Sequence, residues 1–317
     1  MRVFVTGASG HIGSAVVSEL IAAGHEVVGL ARSDTAAATV TALGATVRRG
    51  DLDDLDGLKE AAADSDGVIH VAFKHDQMHS GDVAAAVATE LATVHALGDA
   101  LAGTGKPLVT ASGTGAAGQH PGRPGTEEDA ATPSKEEDAG TPHARTDSEI
   151  AVVGFAERGV RSSVVRIPPI THSTRDRIGL AMQLIAIAKD KGVAGYPGDG
   201  ANRWPAVHTL DVSHLFRLAL ENAPAGTRWH AVADEGIPMR EIAQSIGDHL
   251  GLPTESIPAD RLQAYFGPFL SMVIAHDIPT SSLATRRILG WEPTHPGLLA
   301  DFDKGEYFIT TATPDNQ

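Results

Sequence analysis

No cysteine occurs in the chain. Disulfides, thiolate metal centres and cysteine nucleophiles are therefore excluded. Aromatic residues are scarce, at 4%. An aromatic-walled substrate pocket would have to use Trp204, Tyr265, Phe266 and Phe269, which core packing explains equally well. Positive charge is short as well: 25 Lys and Arg stand against 40 Asp and Glu, a net −15. Such a surface repels phosphate backbones, which argues against nucleic acid and anionic membrane as partners. No apolar run approaches the length of a membrane span. Strand-like residues begin at Arg2, so no signal peptide is expected and the expected location is the cytoplasm.

What is present reads as an α/β chain. Arg2–Thr6 is nearly all apolar, as a parallel strand buried on both faces requires. Further strands are expected at Glu26–Ala31, Thr46–Arg49, Gly67–Ala72, Pro107–Ala111 and Ser162–Ile167. Helical spacing appears at His11–Ala23, Leu55–Ala63, Val83–Ala102 and Ser148–Arg158. Strands alternating with helices predict a doubly wound parallel sheet, a Rossmann fold. Gly113–Pro142 interrupts this rhythm with Gly, Pro and acidic residues and reads as a lid or a mobile excursion. Beyond Pro168 the pattern changes. Helices are expected near Gly179–Asp190, Met239–Leu250 and Ala259–Phe266, with a strand at Arg228–Val232. The expected division is a nucleotide-binding domain over residues 1–170, with returning elements near 207–233, and a smaller C-terminal substrate lobe over 171–317.

The first turn, TGASGHIG, places Gly7, Gly10 and Gly13 between strand and helix. The first glycine permits a tight turn, the second lets a pyrophosphate approach the backbone, and the third lets helix and strand pack closely. The helix N-terminus at His11, Ile12 and Gly13 offers free N–H groups, and Ser9 and His11 add side-chain donors. The second strand ends Ala31-Arg32-Ser33. No carboxylate stands at Ala31 to bind a ribose diol, and the Arg32 guanidinium suits a 2′-phosphate. NADP is therefore the expected cofactor. Asp34 lies close enough to keep NAD as the alternative.

With these residues, the Gly50-Asp51-Leu52 turn and the strand end at His70-Val71-Ala72, the chain resembles the extended short-chain dehydrogenase/reductases. VVRIPPITH, WPAVHTLDV and LGWEP match later segments of the same family. The resemblance implies that Asp51, beside Leu52, meets the adenine. It implies that Val71, Ala72 and Phe73 line the cofactor, and that Pro168 lies beside the nicotinamide. The family's signature is Ser/Thr followed by Tyr-x-x-x-Lys. None of the three tyrosines, Tyr196, Tyr265 and Tyr307, begins that pattern. Counting back from Arg166 through Glu149 puts Arg145 at the lysine position and Thr141 at the tyrosine position. Ser112 and Thr114 flank the Ser/Thr position. The chain thus resembles an atypical branch of the family in which the nucleotide half is intact and the signature is altered.

Arg145 can bind ribose hydroxyls but stays protonated, and a threonine hydroxyl is too weak an acid to replace a tyrosine. A proton donor is sought among histidines: His143, His75 after Lys74, and His172 after the sixth strand. His75 and His79 are four residues apart, but no Glu motif accompanies them and no metal site is assigned. The expected function is an NADP-dependent oxidoreductase reducing a small carbonyl, imine or activated double bond. The alternatives are an epimerase or dehydratase and a non-catalytic NADP-binding redox sensor. Two copies are expected to pair through Val83–Ala102 and Ser148–Arg158.

Overall fold

The computed structural model describes residues 1–79, 82–138, 141–176 and 178–308. The chain opens with β1 (Arg2–Thr6), α1 (His11–Ala22), β2 (Glu26–Ala31), α2 (Asp34–Ala42), β3 (Thr46–Arg49), α3 (Leu55–Ala63) and β4 (Gly67–His70). It continues through α4 (His75–His79), α5 (Val83–Leu101), β5 (Pro107–Gly113), α6 (Thr146–Gly154) and β6 (Arg161–Ile167). Next come β7 (Ile170–His172), α7 (Leu180–Lys191), β8 (Ala194–Pro197), β9 (Arg203–His208), α8 (Thr209–Asn222), β10 (Thr227–His230) and β11 (Asp234–Pro238). The remaining elements are α9 (Met239–Leu250), β12 (Thr254–Ile257), α10 (Leu262–Val273), α11 (Leu283–Leu289) and α12 (Leu298–Phe302).

Seven strands form one sheet in the order β10-β6-β5-β4-β1-β2-β3. Every pairing in it is parallel. The alternation of β1 shows why both faces are covered. Val3 and Val5 pack with Val16, Val17 and Leu20 of α1 and with Leu215 and Phe216 of α8. Phe4, between them, packs on the other side with Leu58 of α3, Leu97 of α5 and Val152 of α6. Each such fully enclosed side chain contributes roughly 1.5–3 kcal/mol. This is the doubly wound fold that the strand–helix alternation predicts.

A further cluster of buried residues lies wholly between Ile170 and Tyr307. Trp204, Tyr265, Phe266 and Phe269 all belong to it. The Tyr265 hydroxyl donates to the Val193 carbonyl and accepts from Gly195 N–H at 2.8 Å. These aromatics are therefore packing residues. The cavity beside them, lined by Leu184, Met239, Tyr265 and Phe266, measures about 10 Å³, room for at most one water.

The structure corrects several boundaries. Helix α2 has weak apolar periodicity, and neither it nor α8 is among the helices expected from the sequence. YPGDGANRW reads as a turn, yet its ends belong to β8 and β9. Trp291 of the LGW segment packs into the core under the large sheet, not with the C-terminal elements, and its indole N–H donates to the Asp211 carbonyl at 2.9 Å. The stretch from Gly113 to Pro142 is no free excursion. Gly125 N–H donates to the Pro279 carbonyl at 2.8 Å, and Ser281 N–H donates back to the Gly125 carbonyl at 2.9 Å. Glu127, buried, accepts from the backbone and hydroxyl of Thr285 at 2.7 and 2.6 Å. No helix of the described residues is long and apolar enough to cross a membrane.

Candidate functional site

The glycine turn joins β1 to α1. Gly7 has φ +70°, and a Cβ there would stand 2.8 Å from the Ala72 amide nitrogen. A Cβ on Gly13 would stand 1.9 Å from the Gly7 carbonyl oxygen. Both glycines are therefore demanded by the protein itself. Gly10 is different: its Cβ would meet only that same oxygen, at 3.3 Å. Gly10 is exposed and caps α1 with no side-chain hydrogen bond. The first-turn N–H groups at His11, Ile12 and Gly13, which a helix leaves without an internal partner, stand beside this bare backbone, an arrangement suited to a phosphate. This cradle fits the pyrophosphate of a dinucleotide. Ser9 is partly exposed on the same turn. The His11 ring is turned to Thr209, Nε2 to Oγ1 at 2.7 Å.

Arg32 and Ser33 follow β2 and are exposed. The Ser33 hydroxyl caps α2 by accepting from Ala36 N–H at 3.2 Å. Arg32 donates to Asp76 of α4 at 3.1 Å, both side chains being more than half exposed. Solvent screens an ion pair this exposed, so a phosphate can displace Asp76. Asp51 is exposed and accepts from Asp53 N–H at 2.7 Å, while Leu52 is buried.

On the other side of β1, the backbone at Val71 and Ala72 walls the glycine turn. Phe73 follows. The Arg145 guanidinium stacks over its ring at 4.2 Å. The same guanidinium holds buried Glu90 of α5 by a two-point fork, Nε at 2.9 Å and Nη2 at 2.7 Å. Burial opposes the Arg145 charge, and the Glu90 carboxylate more than offsets that, so its pKa is raised. Sequence alone offered Arg145 to the ribose. The structure commits two of its three nitrogens to Glu90 and leaves Nη1 outside the fork. His70, at the end of β4, is enclosed, and burial lowers its pKa to about 4. Lys74 donates to both carboxylate oxygens of Asp53 at 2.6 Å.

Ser112 and Thr114 stand at the end of β5. Ser112 is half-buried; Thr114 is buried, and its hydroxyl has no partner among the described residues. Pro168, after β6, is buried. The Thr141 hydroxyl donates to the Asp138 carbonyl at 2.8 Å, and His143 stands 3.9 Å from the Asp138 carboxylate. His75 lies 5.1 Å from the Phe73 ring, edge to face. The side chain of His79 lies outside the described residues.

His172 is not open to a substrate. Its side chain is fully enclosed, with Nδ1 3.0 Å from Asp301, which also accepts from Tyr307 at 2.8 Å. The edge of its ring meets His208, which in turn stacks on His295. Burial, then the neighbouring His172 and His295, hold the His208 pKa at about 4. His172 and His208 are buried in this cluster, and the ring of His295, about a third of it exposed, is held on Asp211 at 2.8 Å.

Glu149, four residues past Arg145, anchors the site from below. It accepts two hydrogen bonds from Arg166, at 3.0 and 2.5 Å, and one from Arg228 at 2.9 Å. Glu90 and Asp76 escaped the sequence reading. The signal for Glu90 was available: one acid in the otherwise uncharged VAAAVATELATVHALG, on the face that the apolar spacing buries.

A protein-family description, NAD dependent epimerase/dehydratase family, matches residues 3–231. An uncharacterized protein of Schizosaccharomyces pombe is 45% identical over 308 residues, 97% of this chain and 100% of its own. An uncharacterized protein of Saccharomyces cerevisiae is 43% identical, over 95% of this chain and 97% of its own. The structure of Thermus thermophilus UDP-glucose 4-epimerase in complex with NAD superposes with a TM-score of 0.73 at 22% identity, covering 98% of this chain and all of the other. The glycine cradle, the parallel sheet above it and the long sequence match agree: this chain belongs to the NAD-dependent epimerase/dehydratase family.

Proposed function

We propose that the protein is a cytoplasmic NADP-dependent oxidoreductase that reduces a small carbonyl, imine or activated double bond. The observation that carries the cofactor choice is the end of β2. Ala31 offers no carboxylate to a ribose diol, and the exposed Arg32 guanidinium meets Asp76 in a surface pair open to water. Gly7, Gly10 and Gly13 with the α1 N-terminus would hold the pyrophosphate, and Asp51 and Leu52 the adenine. Val71, Ala72, Phe73, Arg145 and Pro168 would flank the nicotinamide half. The bound nicotinamide supplies a hydride.

The protein's own residues orient the acceptor. Ser112 and the unpartnered Thr114 hydroxyl donate to a substrate oxygen at the end of β5. Residues 171–317 supply most of the wall opposite. Thr141 already donates to a backbone carbonyl and, as an alcohol, is a poor acid. The proton comes from His143, whose imidazole is exposed two residues from Arg145. A panel of aldehydes, ketones, imines and enones, followed by NADPH absorbance, tests the reading. Turnover that survives Thr141→Val and is lost in His143→Gln supports it. Tight NADPH binding without turnover on any class points to a sensor, and conversion of a nucleotide sugar without net NADPH consumption points to an epimerase.

A further inference from the structure

The charges around the cofactor edge come in matched pairs. Arg32 has Asp76, Arg49 has Asp34, Lys74 has Asp53 and Arg145 has Glu90. Two of these pairs are open to water at both ends and the Lys74 pair at its Asp53 end, where solvent and salt already screen them. The fourth is not. Glu90 is 5% exposed in its side chain, and Arg145 lies over the Phe73 ring with two nitrogens on the carboxylate. A buried carboxylate is costly unless it is paired, so Glu90 has a reason to be there beyond filling space.

Its place in the sheet says which half of a dinucleotide it meets. A dinucleotide lies across the carboxyl ends of the strands with its pyrophosphate at the first βα turn. That turn follows β1. The Arg32–Ser33 end lies over β2, on one side. The Phe73–Arg145–Glu90 corner lies past β4, on the other, next to the β5 hydroxyls. If the 2′-phosphate end sits at Arg32, the nicotinamide end falls on the Arg145 side. The nicotinamide ring carries one positive charge when oxidised and none when reduced. A lone guanidinium beside it would disfavour the oxidised form, and most strongly in a corner shielded from water.

We propose that Glu90 is a built-in counter-charge that keeps the Arg145 corner electrically neutral, so that the site accepts oxidised and reduced nicotinamide about equally. This rests on the dinucleotide reading above. His70, the other titratable side chain enclosed beside the pair, is neutral at physiological pH and adds no charge. Glu90 is a positioning residue: it acts through Arg145, holding the guanidinium flat on Phe73 with Nη1 left for a ribose hydroxyl.

The test is the ratio of dissociation constants for oxidised and reduced NADP, measured by fluorescence or calorimetry without substrate. In the parent protein the two values lie within about threefold and their ratio is insensitive to ionic strength, as a neutral corner requires. In Glu90→Gln the cation is uncompensated, and the ratio moves at least about fivefold toward the reduced form. In the double variant Glu90→Leu, Arg145→Met both charges are gone, and the ratio returns to the parent value while both affinities fall. A purely structural role for Glu90 would weaken the two forms alike. An unaltered ratio in Glu90→Gln overturns the inference and leaves the dinucleotide reading standing. Failure of the parent to bind either form overturns both. Should Glu90→Gln not fold, the parent and double variant decide: a strong, salt-dependent preference for reduced cofactor in the parent, relieved in the double variant, refutes the counter-charge.

Discussion

Gly13 lies so close to the Gly7 carbonyl that a methyl group on it would stand 1.9 Å from that oxygen. Gly10, three residues earlier, has only a 3.3 Å contact with the same atom. The two alanine variants should therefore separate fold from ligand. Gly13→Ala forces α1 away from β1 and costs at least ~1–3 kcal/mol of stability, the scale of an overpacked core. Gly10→Ala keeps stability within about 1 kcal/mol, as at other helix caps, yet places a methyl group where the pyrophosphate must lie. Urea melts and NADPH titrations on both variants check this. Equal loss of binding and stability in the two would refute it.

Arg32 should set the cofactor preference. Losing one charge-assisted hydrogen bond costs ~1.5–3 kcal/mol, so Arg32→Ala should weaken NADPH by about tenfold or more and leave NADH nearly unchanged. Asp76→Asn removes the competing carboxylate and should tighten NADPH binding. A parent protein that binds NADH and NADPH equally would contradict the assignment.

Glu149 and Arg166 face each other with neither side chain exposed. Removing Glu149 leaves Arg166 buried without a counter-charge, whereas removing Arg166 leaves Glu149 its bond to Arg228. Glu149→Gln is expected to destabilise the fold by about 3–5 kcal/mol, and Arg166→Met by less. Chemical denaturation gives the number. A loss below that of an ordinary surface substitution would mean that Arg228 and His230 reorganise to rescue the network.

Acid should destabilise the protein through its buried histidines. The pKa of His70 falls from the ordinary 6.5 to about 4 because it is enclosed, and that of His208 falls likewise. Between these values the unfolded chain holds more protons than the folded one. Their contribution is therefore fully present above pH 6.5 and is lost progressively as pH falls toward about 4. For each of the two the full effect is roughly 3 kcal/mol. Denaturant midpoints across this range should drop with pH, and His70→Asn should flatten the slope. An unchanged slope in that variant would remove His70 from the account.

A pair of copies is expected to associate through α5 and α6. The exposed row of α5 is Ala84, Ala88, His95 and Asp99, small near its start, so another helix can approach closely. Light scattering should give a dimer mass at micromolar concentration, and Ala88→Arg should return a monomer. A monomeric parent would reject this interface.

The nucleotide half was legible because its signals are local. Apolar runs too short for helices mark β1 and β2, and Gly7, Gly10 and Gly13 mark the turn between strand and helix. The placement of Thr141 and Arg145 at the signature positions rests on counting from Glu149 and stays a proposal. What sequence could not give was pairing over long separations. Nothing near Arg145 announces Glu90, fifty-five positions away in the chain. Nothing near His172 announces Asp301, which turns an apparent cleft histidine into an enclosed one. Helix α8 was missed because it presents charged and polar residues to α1 as well as to water: His214 and Arg217 both reach Glu19.

The anchoring of residues 113–142 bears on how the chain survives proteolysis. By composition, this Gly-, Pro- and acid-rich stretch is where a protease would be expected to cut. Cleavage needs a run of chain that can be drawn out and laid in the enzyme's groove. Gly125 is stitched to Pro279 and Ser281, Glu127 to Thr285, Asp129 to Arg123, and Ser134 to Asp147. Among the described residues of this stretch, these stitches leave no long run to draw out. Resistance here therefore depends on contacts made with residues near the other end of the sequence, and a cut that removed Pro279–Thr285 would expose the middle of the protein to the next one.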